Sequence, residues 1–362
     1  MSTSKLFQPI TIGNTTLKHR VVLAPLTRVR TTPSNAPIPG LVKEYYAQRA
    51  STPGTLLISE AVFMTPGFAG GPEFWSEEQI NGWKEVVDAV HSKGSYIYLQ
   101  VAALGRGASK AVLQSLNSSL EVIGAGDIPA TGGDVPRPLT LDEIPKYVDL
   151  YAQAAINAVE KAGFDGVEIH GCNSDLSEQF LHDSTNNRTD EYGGSIENRA
   201  RFMLEIVEAV SKGIGAEKTA LRLSPWSKFF DMGMKDPVPT YTYLVEKLRD
   251  FFPNLAYLSV IEPRTSGGDF EERELEAGES NDFIRDIWGP RPLVFAGGYT
   301  RQSAIEKAEN DNTLIAFGRH FISNPDLPLR LEKGLDLNAY DRSTFYVTSD
   351  GPKGYTDYPF AL

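Results

Sequence analysis

A histidine and an asparagine stand three residues apart, at His170 and Asn173, at the end of a short apolar run that begins at Gly166. At the end of a buried strand, both side chains can donate a hydrogen bond to one oxygen atom. Two such donors polarise a carbonyl group or hold a phenolate, because they place partial positive charge where negative charge develops. A single histidine near a strand is more often a structural core residue, but the following asparagine and the polar loop favour a functional pair.

Other polar residues occupy the ends of apolar runs in the same way. Gln100 and Arg222 can donate to a planar heterocycle, and an arginine beside a flavin pyrimidine ring stabilises the anionic reduced ring. The alternative for these two residues is a buried ion pair and a loop hydrogen bond. Gly297-Gly298 and Gly318-Arg319 follow the last two runs. Glycine lets backbone N–H groups approach a phosphate there, and the arginine adds a charge-assisted contact.

Short apolar runs alternate along the chain with longer amphipathic stretches. The runs are short and uniformly apolar, which indicates strands buried on both faces, as in a parallel sheet. The predicted strands are Val21–Pro25, Thr55–Glu60, Tyr96–Val101, Gly166–His170, Thr219–Leu223, Ala256–Ile261, Leu293–Ala296 and Leu314–Phe317. Apolar residues at three- and four-residue spacing predict helices at Leu41–Ala50, Glu77–Ser92, Ile144–Ala162, Ile196–Ser211, Tyr241–Phe252, Asn281–Ile287, Arg301–Glu309 and Leu327–Lys333. Left-handed residues that end helices are predicted at Gly94, Gly163 and Gly213.

Eight strands, each followed by a helix, predict an α/β protein with a single (β/α)8 TIM barrel that spans residues 1–362 as one domain. A doubly wound open sheet is the alternative, but no G-x-G-x-x-G motif follows the first strand. Met1–Arg20 is predicted to form a hairpin over the bottom of the barrel, with Gly13-Asn14 as its turn. Ala103–Thr140 is predicted to be an unstructured loop after the third strand, of a length typical of functional lids.

The composition limits the classes of function. Thirty-five basic and 47 acidic side chains give a net charge of −12, which argues against nucleic acid or an anionic membrane as a partner. No apolar stretch is long enough for a membrane helix, and no signal peptide is evident. Cys172 is the only cysteine and cannot form an intramolecular disulfide, so we expect a cytoplasmic protein. With five histidines and one cysteine, we expect no metal site.

The chain resembles the Old Yellow Enzyme family of FMN-dependent ene-reductases along essentially its whole length. The matching strings are Ala24–Arg28, Gly166–Gly171, Gln179–Leu181, Arg188–Arg199, Ala296–Gly298 and Gly318–Pro325. The tail, Thr344–Tyr346 and Gly354–Pro359, is similar to the fungal and plant oxophytodienoate-reductase-like branch. Any one string is weak, but so many in the same order are specific. By itself, the Arg188–Arg199 string predicts scaffolding, with Ser195 capping the next helix.

The resemblance implies FMN bound without a covalent link, NADPH or NADH as electron donor, and a small-molecule substrate; we expect a monomer or homodimer. The isoalloxazine ring is expected to contact Pro25, Thr27, Ala61, Gln100 and Arg222, and the phosphate to contact Gly298, Gly318 and Arg319. His170 and Asn173 are expected to hold the carbonyl oxygen of the substrate, and Tyr346 to line the substrate side. In this family a hydride passes from flavin N5 to the β-carbon of an activated alkene, and a tyrosine two residues after the asparagine usually protonates the α-carbon.

The sequence departs from the family pattern at two positions. Asp175 stands where the tyrosine belongs. A phenol with an ordinary pKa near 10 stays protonated at neutral pH, whereas a free aspartate, with a pKa near 3.9, is ionised. Asp175 is therefore a desolvated acid that replaces the tyrosine, a docking charge for a cationic substrate such as an amine, or a solvated residue that has turned away. Ala102 stands where the family usually has tryptophan, which predicts a more open pocket unless a residue of the following loop fills the space.

Three hypotheses for function follow. The first is an NAD(P)H-dependent flavin reductase of an electron-poor C=C bond in a bulky α,β-unsaturated carbonyl or iminium metabolite, with Asp175 in place of the tyrosine. The second is a flavin-dependent isomerase or desaturase of a secondary metabolite, because losing the proton donor leaves hydride transfer but unbalances reduction. The third is a non-catalytic FMN-binding protein, which the intact His170 and Asn173 pair disfavours.

Overall fold

The computed structural model describes residues 4–265 and 274–361. In these residues the strands are β1 (Ile10–Ile12), β2 (Thr15–Leu17), β3 (Val21–Leu23), β4 (Leu56–Phe63), β5 (Tyr96–Ala102), β6 (Ile123–Gly124), β7 (Arg137–Pro138), β8 (Gly166–Gly171), β9 (Thr219–Leu223), β10 (Tyr257–Ile261), β11 (Leu293–Ala296) and β12 (Thr313–Phe317). The helices are α1 (Leu41–Arg49), α2 (Glu77–His91), α3 (Lys110–Leu116), α4 (Ile144–Ile156), α5 (Leu176–Leu181), α6 (Ile196–Ile214), α7 (Val238–Phe251), α8 (Asp282–Trp288), α9 (Arg301–Ala308), α10 (Arg319–Ser323) and α11 (Leu327–Lys333).

Eight parallel strands close into a barrel in the order β3-β4-β5-β8-β9-β10-β11-β12. This confirms the predicted (β/α)8 architecture. Almost every residue of these strands is buried, because helices cover the outside and side chains fill the inside. Helix ends follow local rules: Ser76 caps α2 in a reciprocal capping box with Gln79, and Gly163, with φ of 82°, ends the helical segment before β8.

The N-terminal hairpin closes the bottom of the barrel, as predicted. Strands β1 and β2 pair antiparallel, and their side chains Ile10, Ile12 and Leu17 belong to the same buried cluster as interior barrel residues such as Val22 and Leu56. A Cβ atom built at the turn residue, Gly13, would lie 1.8 Å from the backbone oxygen of Glu217, just before β9 begins. Only glycine therefore allows the hairpin to approach this end of the barrel so closely.

Several predicted boundaries need correction. The amphipathic stretch predicted to end at Ser211 continues to Ile214, and the residue that ends it is Gly215, with φ of 91°, rather than Gly213. Gly213 lies inside the helix, where a Cβ would come within 3.1 Å of Ile156 on α4. The stretch predicted as one helix to Ala162 changes to a π-helical turn at Asn157, beyond the last residue of α4.

The segment after β5 is not the unstructured lid that its length predicted. It contains α3 and the short parallel strands β6 and β7, which pair with each other. Arg188 fastens this segment by donating to the carbonyl oxygens of Ala125 and Leu139, and it forms an ion pair with Asp190 at 2.7 Å. Ser195 caps α6 as predicted, so the distinctive string that contains both residues is scaffolding.

No helix within residues 4–265 and 274–361 combines the length and the apolar character needed to cross a membrane.

Candidate active site

A cavity of about 520 Å³ opens at the carboxyl ends of the barrel strands, the end at which barrel enzymes build their active sites. All but one of the residues that the sequence marked for function line this cavity. They are Pro25, Thr27, Ala61, Gln100, His170, Asn173, Asp175, Arg222, Gly298, Gly318, Arg319 and Tyr346. Residues from seven of the eight strands or their following loops thus meet in one place.

The ends of β11 and β12 form a glycine-rich wall of the cavity. Gly297 has φ of 132° and Gly298 has φ of 59°, conformations that side chains rarely adopt. A Cβ atom at Gly297 would lie 2.9 Å from Thr265, and one at Gly318 would lie 3.1 Å from Leu26. Arg319 follows directly and lines the same wall. Exposed backbone and a guanidinium group at one point match the requirements of a phosphate group.

Polar side chains near the top of the barrel interior lie in two layers set by strand register. Gln100 pairs in register with Glu168, and its side-chain nitrogen donates to the buried Glu168 carboxylate at 2.7 Å. One layer closer to the cavity, His170 pairs in register with Arg222. Burial raises the pKa of Glu168, while Arg222 and Gln100 act in the opposite direction. The Nε atom of Arg222 is buried and has no hydrogen-bond partner among the described residues.

A bulge in β4 presents Ala61 to the cavity. The pairing of β4 with β5 shifts register between Ile58 and Ala61, as bulges beside active sites often do. On the bulge, the Ser59 hydroxyl accepts a hydrogen bond from the backbone nitrogen of Gln100 at 2.9 Å. The buried Glu60 carboxylate accepts a hydrogen bond from the backbone nitrogen of Arg28 at 3.0 Å. The small Ala61 side chain therefore leaves room above the barrel interior.

A tight turn after β8 carries Asn173 into the cavity. Asn173 and Ser174 have φ of 50° and 65°, so two consecutive non-glycine residues adopt the left-handed conformation. Hydrogen bonds hold this turn: the Asn173 nitrogen donates to the Ser224 hydroxyl at 3.1 Å, and the Ser174 nitrogen donates to the Glu178 carboxylate at 2.6 Å. The Asn173 Oδ1 atom is buried and has no partner among the described residues.

Asp175 lies at the wall of the cavity but is buried and not solvated. Its side chain is 2% exposed, and the residue caps α5 by accepting a bond from the Ser177 nitrogen. The carboxylate also accepts bonds from the Ala103 nitrogen at 2.8 Å and the Tyr151 hydroxyl at 2.9 Å. Its Oδ2 atom lies 3.3 Å from His170 Nδ1. This corrects the solvated hypothesis, because the side chain is buried and both oxygens accept hydrogen bonds inside the protein.

Ala102 does not line the cavity, although the sequence marked it as a substrate contact. It is 1% exposed and packs in a cluster with Ala61, Phe63 and Leu104. Phe63 and Leu104 line the cavity instead. The expected opening at Ala102 is therefore corrected: neighbouring apolar side chains cover it, in line with the alternative that other residues fill the space.

Sequence reasoning missed the aromatic rim of the cavity. Phe63, Phe68, Phe229, Phe230 and Phe345 all line it. Phe63 is the last residue of β4 and Phe68 lies in the loop after it, Phe229 and Phe230 lie in the loop after β9, and Phe345 lies in the chain's tail, so no periodicity marks them. The one available signal was the adjacent aromatic pair Phe229-Phe230 shortly after β9; in the structure Phe230 is exposed and Phe229 is partly buried.

The cavity has the features that FMN needs. The glycine wall with Arg319 suits the phosphate, the unpartnered Arg222 Nε offers a donor to a flat polar ring, and Asn173 and His170 stand at the rim where a second molecule can bind. These features are properties of the side chains and backbone described above, and they agree with the cofactor that the resemblance implied.

Comparisons with known proteins identify the family of this chain. The model of the NADH:flavin oxidoreductase / NADH oxidase family matches residues 5–338. A chanoclavine-I aldehyde reductase of Penicillium roqueforti is 44% identical over 366 residues, 99% of this chain and 97% of that protein. A protein of Claviceps fusiformis named as a probable inactive dehydrogenase is 45% identical over 371 residues, 99% of this chain and 96% of that protein.

A solved structure is similar over the same length. The crystal structure of an Old Yellow Enzyme from a Pichia species has a TM-score of 0.90 and 35% sequence identity, covering 99% of this chain and 94% of that chain. The similarity in fold and in sequence thus extends over nearly the whole chain. The chain belongs to the NADH:flavin oxidoreductase / NADH oxidase family, as a relative of the Old Yellow Enzymes that uses FMN and a reduced nicotinamide.

Proposed function

We propose that this protein reduces a carbon–carbon double bond next to a carbonyl group in a bulky small molecule. The observation that carries the proposal is the convergence, in one cavity, of the glycine wall, the Gln100 and Arg222 pair, and the His170 and Asn173 pair. The first is suited to a phosphate, the second to a flat polar ring and the third to a substrate oxygen. Few other reactions need all three at one barrel end.

The chain's residues divide between the cofactor and the substrate. We assign the ring of FMN to Pro25, Thr27, Ala61, Gln100 and Arg222, and its phosphate to Gly298, Gly318 and Arg319. Bound FMN, once reduced by NADPH or NADH, supplies a hydride. Arg222 places positive charge beside the ring, which favours the anionic reduced form. A phosphate at Arg319 forms a charge-assisted contact, which is stronger than a bond between neutral groups.

His170 and Asn173 bind the carbonyl oxygen of the substrate in this proposal. Hydrogen bonds from both residues grow stronger as negative charge collects on that oxygen, so they stabilise the transition state more than the bound substrate. The aromatic rim, with Tyr346 on the substrate side, favours a flat and bulky molecule. The name of the relative from Penicillium roqueforti specifies an aldehyde, so a conjugated aldehyde is the first substrate class to test.

Asp175 does not act as the acid that replaces the tyrosine in this proposal. A carboxylic acid that donates a proton must reach the substrate, but both carboxylate oxygens accept bonds from Ala103, Tyr151, Ser177 and His170. With its oxygens held by these four neighbours, the carboxylate cannot turn toward a substrate without losing hydrogen bonds. The proton that completes reduction must therefore come from another group or from water.

The aspartate in place of the proton-donating tyrosine also supports a second candidate function, a flavin-dependent isomerase or desaturase. Without a phenol two residues after Asn173, hydride transfer to the substrate has no matched protonation of the α-carbon. An intermediate that waits for its proton can return the hydride from a different carbon, which moves the double bond without net reduction. The relative from Claviceps fusiformis is named as a probable inactive dehydrogenase, so we do not assume ordinary reduction as the only reaction for this chain.

Product analysis separates these functions. The FMN-loaded protein is incubated in the absence of oxygen with NADPH and an aromatic conjugated aldehyde that carries a substituent on its α-carbon. The amounts of each product formed and of NADPH consumed are then measured in the same sample. One NADPH consumed per saturated product supports the reductase. A moved double bond with NADPH needed only in catalytic amounts supports the isomerase. An unchanged substrate across aromatic aldehydes and enones contradicts both. The His170→Ala variant is the matched control, because it should bind FMN but lose turnover.

A further inference from the structure

The Asp175 carboxylate is fixed in place beside His170. Oδ2 accepts a hydrogen bond from the Ala103 nitrogen, and Oδ1 accepts bonds from Tyr151 and Ser177, so the carboxylate cannot rotate without losing several partners. His170 Nδ1 lies 3.3 Å from Oδ2. Because Nδ1 faces the carboxylate, Nε2 on the far side of the ring is the nitrogen that can reach a ligand in the cavity. The His170 side chain is 14% exposed, and this exposure is toward the cavity that it lines.

We propose that Asp175 is a positioning residue that holds His170 as an imidazolium, and that His170 Nε2 gives its proton to the carbonyl oxygen of the substrate. Position 175 carries a proton-donating tyrosine in most members of the Old Yellow Enzyme family. In this chain the aspartate at that position instead orients another proton donor, His170. A buried carboxylate that orients a neighbouring histidine and favours its charged form is a well-understood arrangement. In this chain the carboxylate belongs to Asp175, five residues after His170.

Some of the ionisable groups near the His170 imidazole raise its pKa and others lower it. Arg222 is its register neighbour on β9 and disfavours a second positive charge, while acidic side chains favour it. The groups that face His170 from the surrounding elements are Cys172, Asp175, Glu168, Glu178 and Arg222. Burial works against protonation of His170, but Cys172 and Asp175 outweigh it and raise its pKa to about 10. At neutral pH the balance therefore favours the imidazolium.

The reaction balances with His170 as the acid, and this step rests on the proposed function. A hydride adds to the β-carbon, the C=C π bond breaks, and its electron pair moves through the α-carbon to the carbonyl oxygen. That oxygen takes the proton from His170 Nε2 and becomes an enol, while His170 becomes neutral and later regains a proton from water. The enol leaves the site and takes its α-carbon proton from the solvent as its O–H proton is lost. The α-carbon is thus protonated outside the protein.

Histidine NMR of the flavin-free protein tests the pair independently of catalysis. Imidazole ¹⁵N and ¹³C shifts are followed over pH, and His170 is assigned by its loss in His170→Asn. We expect His170 to remain charged at about pH 7.5, above the ordinary histidine pKa of about 6.5. Asp175→Asn, which can still cap α5, should lower the midpoint by one pH unit or more. Tyr151→Phe also removes a hydrogen bond to Asp175, but that bond is to Oδ1, and the contact between Oδ2 and His170 remains. The titration midpoint of His170 should therefore stay high in this variant.

Two results would overturn the pair. The first is a His170 midpoint at or below the ordinary value in the unaltered protein, a measurement that needs no stable Asp175 variant. The second is an unchanged midpoint in folded Asp175→Asn. His91, which forms a surface pair with Asp165 at 2.9 Å, reports on an exposed histidine–aspartate pair in the same spectra. His170 should keep its charge when salt weakens the His91 pair, because buried pairs are screened less.

Product stereochemistry tests the proton route. With an α-substituted substrate, enol release gives both α-epimers in equal amounts, whereas a single epimer would mean that a protein group protonates the α-carbon and would overturn the route. Tyr346→Phe checks the phenol assigned to the substrate side and should leave the epimer ratio unchanged. If no substrate is reduced, the proposed function fails while the NMR result on the pair still stands.

Discussion

Arg106, in the segment after β5, donates a hydrogen bond from Nη2 to the backbone carbonyl oxygen of Phe230, in the loop after β9. Phe230 and Asp231 have φ of 51° and 56°, which non-glycine residues adopt at a cost. The same segment also holds the next residue, since the Thr131 nitrogen donates to the Asp231 carboxylate. The long segment therefore also shapes the cavity by fixing the loop that brings Phe229 and Phe230 to the rim.

Arg106→Lys should loosen this loop and weaken binding of large substrates. Lysine keeps the positive charge, but it lacks the forked guanidinium group that donates hydrogen bonds to the carbonyl oxygens of Phe230 and Ile128 at the same time. Losing one or two such bonds costs about 1–3 kcal/mol, so KM for a bulky aromatic aldehyde should rise about tenfold. KM for a small enone should change little, and steady-state kinetics with both substrates measures the difference.

Arg137→Lys is the matched control for that variant. Arg137 lies in the same segment, pairs with Glu143 at 2.8 Å and does not line the cavity. Its replacement should leave both KM values unchanged. Equal increases for the two substrates in Arg106→Lys would show that the loop does not select by size.

Gly297→Ala should impair FMN binding. A side chain at φ of 132° is strained, and its Cβ would lie 2.9 Å from Thr265, so the backbone at the end of β11 must shift. Gly334→Ala imposes similar left-handed strain at φ of 68° after α11, with nothing closer than 3.9 Å. FMN titration by fluorescence quenching should show a Kd at least tenfold higher for Gly297→Ala and no change for Gly334→Ala. Equal affinities would remove the glycine wall from the cofactor site.

Asp175→Tyr should destabilise the protein instead of restoring ordinary reduction. The phenol would replace a buried carboxylate that four neighbours use as an acceptor, and breaking such an arrangement costs about 3–5 kcal/mol. Asp175→Asn should cost less, because asparagine also caps helices. Chemical unfolding of the two variants measures the difference in free energy of unfolding. A stable Asp175→Tyr protein with faster enone reduction would show that the position is open to substrate after all.

The free energy of unfolding should fall as the pH falls below about 6.5, in part because of His182. Burial lowers the pKa of His182 to about 3, and its Nε2 lies 2.9 Å from the Tyr241 hydroxyl. Between these two pH values the unfolded chain binds a proton at this residue that the folded chain does not, which gives a slope of about 1.4 kcal/mol per pH unit. Urea unfolding across this range should show a smaller slope for His182→Gln. An unchanged slope would mean that folded His182 is readily protonated.

Much of the fold and of the cavity could be predicted from the sequence because the signals are local. Uniform apolar runs mark buried parallel strands, and in a barrel each run ends at the cavity, so the order of the runs alone places His170, Arg222 and Gly318 at one site. The hairpin at Gly13 carries its own turn signal. The same logic fails at Gly213, where two glycines stand two residues apart and either could end the helix.

The parts that could not be predicted depend on contacts between distant residues. The sequence leaves Asp175 open to a solvated or docking role, and only its contacts with Ala103 and Tyr151 show that it is a buried structural acceptor. The register shift in β4 and the cover over Ala102 likewise depend on neighbouring strands and loops. Side chains that act through non-local hydrogen bonds leave no periodic pattern in the sequence.

The most direct test of the central claim, that FMN lies in this cavity beneath His170 and Asn173, is a phenol titration followed by visible absorbance. A phenolate held over an oxidised flavin gives a long-wavelength charge-transfer band. We predict that the FMN-loaded protein develops this band and that His170→Ala, equally loaded with FMN, needs at least tenfold more phenol to do so. A protein that takes up no FMN, or a band that is unaffected by His170→Ala, would contradict the account.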